Sequence, residues 1–149
     1  MGLFALQPIA AGERVFEYKG ELTSSRRAAA RQRSEAGHTF VFGLSDGRVI
    51  DGSRGGNSAR FLNHACAPNS EAIETGDKVF IHALAPIAPG DELFIDYGLS
   101  VDGAVTDDIR NHYTCHCGAS GCGRCMLAAI LRRRNPAAAQ MVRCAINGI

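Results

Sequence analysis

Asn57-Ser58-Ala59-Arg60-Phe61-Leu62-Asn63-His64-Ala65-Cys66-Ala67-Pro68-Asn69 stands near the middle of the chain, and the rest of the sequence reads outward from it. Alone it says little. An Asn-His pair ordinarily serves a turn, since asparagine bonds readily to nearby backbone. Cys66 is set far from the other cysteines, which all fall between Cys115 and Cys144.

On either side lie short strand-like runs broken by turn residues. Glu13–Tyr18, Thr39–Leu44, Arg48–Asp51, Lys78–Ala83 and Glu92–Tyr97 are the best strand candidates. Pro8, Gly12, Gly47, Gly76, Pro86, Pro89 and Gly90 punctuate them. Ser24 is placed to cap a short helix through Arg33, and Gly37 to stop it. Regular strand spacing with little helix predicts a mainly β domain. Composition changes after Gly98, where a polar stretch to Asn111 leads into the cysteine-rich run Tyr113–Cys125. Met126–Arg134 reads as a helix, Pro136 interrupts, and an alanine-rich tail follows. The expected division is a β core over 1–99, a cysteine segment over 100–127 and a helical tail over 128–149.

Composition narrows the function classes. A length of 149 residues fits one domain with a small appendage. A hydrophobic share of 46% and a charged share of 21% are ordinary for a globular protein. No apolar run reaches membrane-spanning length, and no charged region precedes a long apolar stretch at the N-terminus. Both facts argue against membrane insertion and a cleaved signal peptide. A net charge of +1 argues against a dedicated nucleic-acid binder. Arg26, Arg27, Arg31 and Arg33 form one basic cluster, and Arg132, Arg133 and Arg134 another. Asp102, Asp107 and Asp108 form an acidic group able to face a basic partner, although solvated surface is the first reading of each. Lysine occurs only as Lys19 and Lys78 among many arginines and alanines, a bias that points to a GC-rich, bacterial genome.

Cysteines clustered in a chain without a secretion signal point to metal rather than disulfides. Cys115-His116-Cys117-Gly118-Ala119-Ser120-Gly121-Cys122 has a CxCx4C spacing. Zinc takes four ligands in a tetrahedron, with thiolates about 2.3 Å away. Gly118 and Gly121 let the backbone fold around one ion. Three thiols leave one position to fill, for which Cys66, Cys125 and His116 all compete.

Three segments, taken with these cysteines, resemble the SET-domain family of protein lysine methyltransferases. They are Gly2-Leu3-Phe4-Ala5 with Glu17-Tyr18-Lys19-Gly20-Glu21, the central Asn57–Asn69 stretch, and Gly90-Asp91-Glu92-Leu93-Phe94-Ile95-Asp96-Tyr97-Gly98. The resemblance covers residues 1 to about 99, and the CxCx4C run is similar to the family's post-SET segment, extending it to about Leu127. It implies several small curved sheets around a pseudoknot, with the Asn63-His64 and Tyr97 segments threaded together. It further implies S-adenosylmethionine as methyl donor and one structural zinc held by Cys66, Cys115, Cys117 and Cys122. Gly2, Leu3 and Phe4 would line the cofactor, and Asn63 and His64 would hold it partly through main-chain groups. Arg60 would brace the motif, Tyr97 would be the catalytic tyrosine and also border the cofactor, and Tyr18 would wall a narrow lysine channel.

The chain departs from the family pattern in places. Only the second glycine of the family's Gly-x-Gly is present, after Met1, which leaves open an upstream start or a shortened cofactor loop. Ala65 stands where a serine is usual, and Ile95 where phenylalanine or tyrosine is common, a change compatible with higher methylation.

The implied activity is lysine methylation of a basic protein, either a histone tail or a bacterial basic DNA-binding protein. The compartment would be the cytoplasm of a bacterial cell, or a host nucleus for a secreted effector. A catalytically silent peptide-docking module is the alternative. A zinc hydrolase, which needs an open ligand position, fits poorly beside four available thiolates.

Overall fold

In Lys78–Ala83 the residues Val79, Ile81 and Ala83 alternate inward and are buried, the period-2 pattern of a half-buried strand. The computed structural model describes residues 1–34, 41–100, 104–128 and 140–142. Their elements run in the order β1 (Arg14–Tyr18), β2 (Glu21–Ser24), α1 (Ser25–Ser34), β3 (Val41–Gly43), β4 (Arg48–Asp51), β5 (Asn63–His64), β6 (Ser70–Thr75), β7 (Lys78–Ala83), β8 (Phe94–Ile95), α2 (Asp107–His112) and β9 (Gln140–Val142). A short 3-10 turn, Ser58–Phe61, precedes β5, with the Asn57 side chain accepting from the Ala59 amide.

Three small sheets result. An antiparallel sheet orders β1-β7-β6, a second orders β2-β4-β3-β9, and a two-stranded parallel pair joins β5 to β8. In that pair Asn63 lies opposite Phe94 and His64 opposite Ile95, and the Ala65 amide continues it by donating to the Ile95 carbonyl at 3.1 Å. The mainly β expectation holds, and this crossing is the contact on which the expected interlocking rests. Ser24 caps α1 as anticipated, its hydroxyl accepting from the Arg27 amide at 3.2 Å.

The N-terminal segment is bound along its length to the chain just before β8. The Ala5 amide donates to the Asp91 carbonyl, Gly90 to Ala5, and Leu93 to Leu3, at 2.7–2.9 Å. One core joins the sheets, with Tyr18, Phe42, Leu62, Ile81, Ile95 and Leu99 among its most buried side chains.

The region after Ser100 differs from expectation. The polar stretch contains α2, opened by Thr106, whose hydroxyl accepts from the Ile109 amide. Asp107 and Asp108 occupy its first turn, where carboxylates complement the helix dipole. Of the helix expected over Met126–Arg134, residues 126–128 run extended against Leu99, and 129–134 lie outside the described residues. Gln140–Val142, expected within a helical tail, adds a strand to β3 instead. Gly37, Asp102, Arg132 to Arg134 and Cys144 also lie outside the described residues.

Candidate functional site

The sulfur cluster is assembled from two distant pieces of chain. Cys115 and Cys117 precede the turn at Gly118, which has a φ of 73°, and Cys122 follows it. Cys66 comes from the segment after β5. The four sulfurs lie within 4.8 Å of one another. A tetrahedral site with thiolates about 2.3 Å from a zinc ion has edges of about 3.8 Å. The Cys66–Cys115 and Cys66–Cys122 separations are 3.8 and 3.6 Å. Backbone amides point at the sulfurs as thiolates require: Cys66 donates to Cys117 at 3.5 Å, Cys117 to Cys115 at 3.4 Å and Arg124 to Cys122 at 3.3 Å. Amides of Cys66 and then Ala119 pull the Cys117 thiol down to about 6, whereas burial pushes Cys115 up to about 12 and also raises Cys66. Deprotonated sulfur is the form that a divalent cation would bind there. Cys125 stands apart, its sulfur turned toward the Arg110 carbonyl, and His116 is outside the cluster.

Next to the sulfurs stands the β5–β8 crossing. The His64 ring is 4% exposed; its Nδ1 accepts from the Tyr97 amide at 3.1 Å and its Nε2 lies 3.5 Å from Cys66 Sγ. The Tyr97 ring packs at a tilt 5.4 Å from that imidazole, and its hydroxyl donates to the Leu62 carbonyl. Burial pushes the Tyr97 phenol up to about 12, so it stays protonated at neutral pH. Tyr18 is 2% exposed and meets Phe42 edge-on at 4.6 Å. Its phenol is raised further by burial, then by the Asp51 carboxylate and by Tyr97, with Arg60 opposing. Gly52 makes room for that ring, since a Cβ there would sit 2.5 Å from the Tyr18 hydroxyl.

Asn63 Nδ2 donates to the Met1 carbonyl at 2.9 Å and to Glu92 Oε1 at 2.8 Å. Gly2 closes over the same carboxylate: a Cβ there would lie 2.1 Å from Glu92 Oε1. Leu3 and Phe4 belong to the strip that follows, and both line a cavity of about 620 Å³ with Val15, Phe16, Ser58 and Leu93. That cavity does not reach Asn63, His64 or Tyr97. Arg60 is exposed, with its guanidinium 4.8 Å above the Phe61 ring. Thus Tyr97, His64 and the four cysteines come together, Asn63 and Gly2 meet at Glu92, and Arg60 stays outside this bonding.

The Asn63 amide and His64 ring both spend hydrogen bonds inside the protein. Three supporting residues carried no warning in local sequence. Glu92 anchors Asn63. Asn69 brackets β8, donating to the Glu92 carbonyl and accepting from the Phe94 amide at 2.8 and 2.9 Å. Asn57 clamps β1, donating to the Glu17 carbonyl at 2.8 Å. The asparagines flank the central stretch, the only signal available.

Known proteins align with this arrangement. Residues 1–98 match the family described as SET domain. The chain is 36% identical over 129 residues to the H3 lysine-4 specific histone-lysine N-methyltransferase of Candida albicans, covering 81% of this chain and 12% of that protein. It is 36% identical over 145 residues to histone-lysine N-methyltransferase ATXR7 of Arabidopsis thaliana, covering 89% and 10%. With human SETD1A the identity is 34%, covering 81% and 7%. The chain therefore spans a small fraction of each relative's length. Among solved structures, a chain of a ctPRC2 complex superposes with a TM-score of 0.59 at 33% identity, covering 65% of this chain and 13% of that one. With residues 1–98 of 149 inside the family match and the β5–β8 crossing at its centre, the chain belongs to the SET-domain family.

Proposed function

We propose that this chain is an S-adenosylmethionine-dependent protein-lysine N-methyltransferase acting on a basic protein, with a histone tail as first choice of substrate and a bacterial basic DNA-binding protein as second. The observation that carries this reading is the meeting of Tyr97, His64 and the sulfur cluster at one crossing, in a chain similar to histone-lysine methyltransferases over 129 residues. Cys66, Cys115, Cys117 and Cys122 would hold one structural zinc ion, whose role is to fix this segment against the crossing. Gly2, Leu3, Phe4, Asn63 and His64 would border the cofactor.

Bound S-adenosylmethionine supplies a methyl group activated by a sulfonium. The protein's share is alignment. A lysine amine near pKa 10.4 in water must lose a proton before it can attack. A channel walled by buried Tyr18 and Tyr97 disfavours the ammonium, which sheds its proton to water before entry is complete. The nitrogen lone pair would then form the bond to the methyl carbon as the carbon–sulfur pair departs with the donor's sulfur. Tyr97 is no base in this scheme, because its phenol is protonated. The Tyr97 hydroxyl donates to the Leu62 carbonyl, and its oxygen would accept an amine N–H and aim the nitrogen. Such alignment is worth several kcal/mol of barrier, and a misplacement of about 1 Å can lower the rate by ~100-fold.

The test is transfer of labelled methyl to core histones and basic bacterial proteins, beside Tyr97→Phe. Label on lysine, reduced about 100-fold in the variant, is the expected outcome. Binding of labelled cofactor without transfer to any protein, in zinc-loaded folded material, would replace the enzyme with the docking module.

A further inference from the structure

We infer that His64 is a positioning residue that ties the thiolate cluster to the strand end carrying Tyr97, through an imidazole held in the neutral tautomer with its proton on Nε2. The inference rests on the proposed metal-bound methyltransferase and adds a route by which the metal site sets the position of Tyr97.

The argument begins with the Tyr97 amide. A backbone N–H can only donate, and it lies 3.1 Å from His64 Nδ1, so that nitrogen must offer a lone pair. The ring proton then resides on Nε2. Asp96 Oδ1 is 3.6 Å from the same Nδ1, but this proton-free nitrogen has nothing to donate to it. That oxygen accepts from the Gly98 amide at 3.1 Å instead. On the opposite edge of the ring, Nε2 is 3.5 Å from Cys66 Sγ, within reach for a sulfur acceptor. Cys66 lies in the bend just after β5, which brings its sulfur alongside the His64 ring. A thiolate held by a cation accepts such an N–H bond, as hydrogen bonds around a metal's ligands commonly orient them. The result is a continuous line from Tyr97 N–H to imidazole to sulfur, in a ring only 4% exposed. The ring has a separate bond for each neighbour, and the two can be removed separately.

The full-length, zinc-loaded protein tests this without any substitution. Long-range proton–nitrogen correlation spectra report the tautomer of each histidine, and His64 is expected as the neutral form protonated on Nε2. Two variants then split the bridge. In His64→Asn the amide oxygen can still accept from the Tyr97 amide but is too short to reach Cys66. In His64→Gln the longer amide can still donate to Cys66 but leaves the Tyr97 amide without its acceptor. The Asn variant should bind zinc about 10-fold more weakly by chelator competition. With cobalt in place of zinc, its sulfur-to-metal charge-transfer band should shift, while the Tyr97 amide stays slow in hydrogen exchange. The Gln variant should keep the cobalt band, lose protection at Tyr97, and show a lower kcat. A proton on Nδ1 in the unsubstituted protein overturns the inference. So do unchanged zinc affinity and cobalt band in the Asn variant. Either can occur while methyl transfer by the unsubstituted chain stands. Failure of that chain to bind zinc or cobalt overturns the metal reading and this inference with it.

Discussion

The β core and the cysteine segment are built on different principles. In the core, large side chains such as Phe42, Leu62, Ile81 and Ile95 are almost wholly buried and the strands bond in ladders. Between Ala104 and Ala128 only Tyr113 and Cys115 are buried, and α2 buries none of its residues. Its ties to the core are Tyr113, with Ile109, Met126 and Leu127 packed beside it, the pairing of Leu99 with Leu127, and the approach of three sulfurs to Cys66. One region folds because water is excluded. The other buries little and gathers four cysteines able to hold an ion, and the difference teaches that the site around Tyr97 draws on more than hydrophobic burial.

The most forceful way to break this contrast is to remove the metal. Structural zinc in small motifs supplies on the order of 10 kcal/mol of folding energy. Chelation should raise amide hydrogen exchange in Tyr113–Leu127 by orders of magnitude, while the β6–β7 ladder keeps its protection. Simultaneous loss in both would mean a single cooperative unit. In the opposite direction, Ile81→Ala should lower stability toward denaturant by about 2–5 kcal/mol through the cavity it leaves. Zinc affinity of the folded form should be unchanged, and a large fall there would erase the distinction. Gly52→Ala sharpens the comparison inside the core, since the new methyl must displace the Tyr18 hydroxyl. We expect about 1–3 kcal/mol of overpacking, with methyl transfer falling more than the stability loss explains.

The smallest effect concerns the surface pair Arg31–Glu21, at 2.7 Å, which also reaches buried Asp51 at 3.2 Å. The Arg31 hydrogen bond holds the Glu21 carboxyl below its ordinary value. Its contribution is therefore fully present above the unfolded pKa, about 4.3, and is lost as pH falls through the lower folded value. Acid titration of stability should show a slightly flatter fall in Arg31→Met, and an identical curve would remove Glu21 from the account.

Legibility followed the same divide. Arg48–Asp51 and Lys78–Ala83 were readable as strands to the residue because Val49 and Ile50 in the first, and Val79, Ile81 and Ala83 in the second, are buried and apolar. Ser70–Thr75 was not, because its inward positions are Ser70 and Ala72, and Glu21–Ser24 hides because its buried residue is Thr23. Small or polar groups facing a core leave no hydrophobic period. The two-residue crossing of β5 with β8 is too short for any period and came only with the family resemblance. Helix α2 lacks an apolar face, so Thr106 followed by two aspartates was its sole signature. At the site, CxCx4C announced three sulfurs, but the Cys66 contact spans 49 residues to Cys115 and spacing left it one of three candidates. Glu92 and Asn69 act across 23 to 29 residues, where no local pattern can speak for them.

Strand β9 also covers one edge of its sheet. Without it, Val41–Gly43 would be the outer strand of its sheet, offering unpaired amides and carbonyls in an apolar stretch, which is a template for intermolecular pairing. The three residues Gln140–Val142 occupy that position and end the sheet in a strand too short to nucleate another. Gln140–Val142 thus covers an apolar strand edge that would otherwise lie open in its sheet.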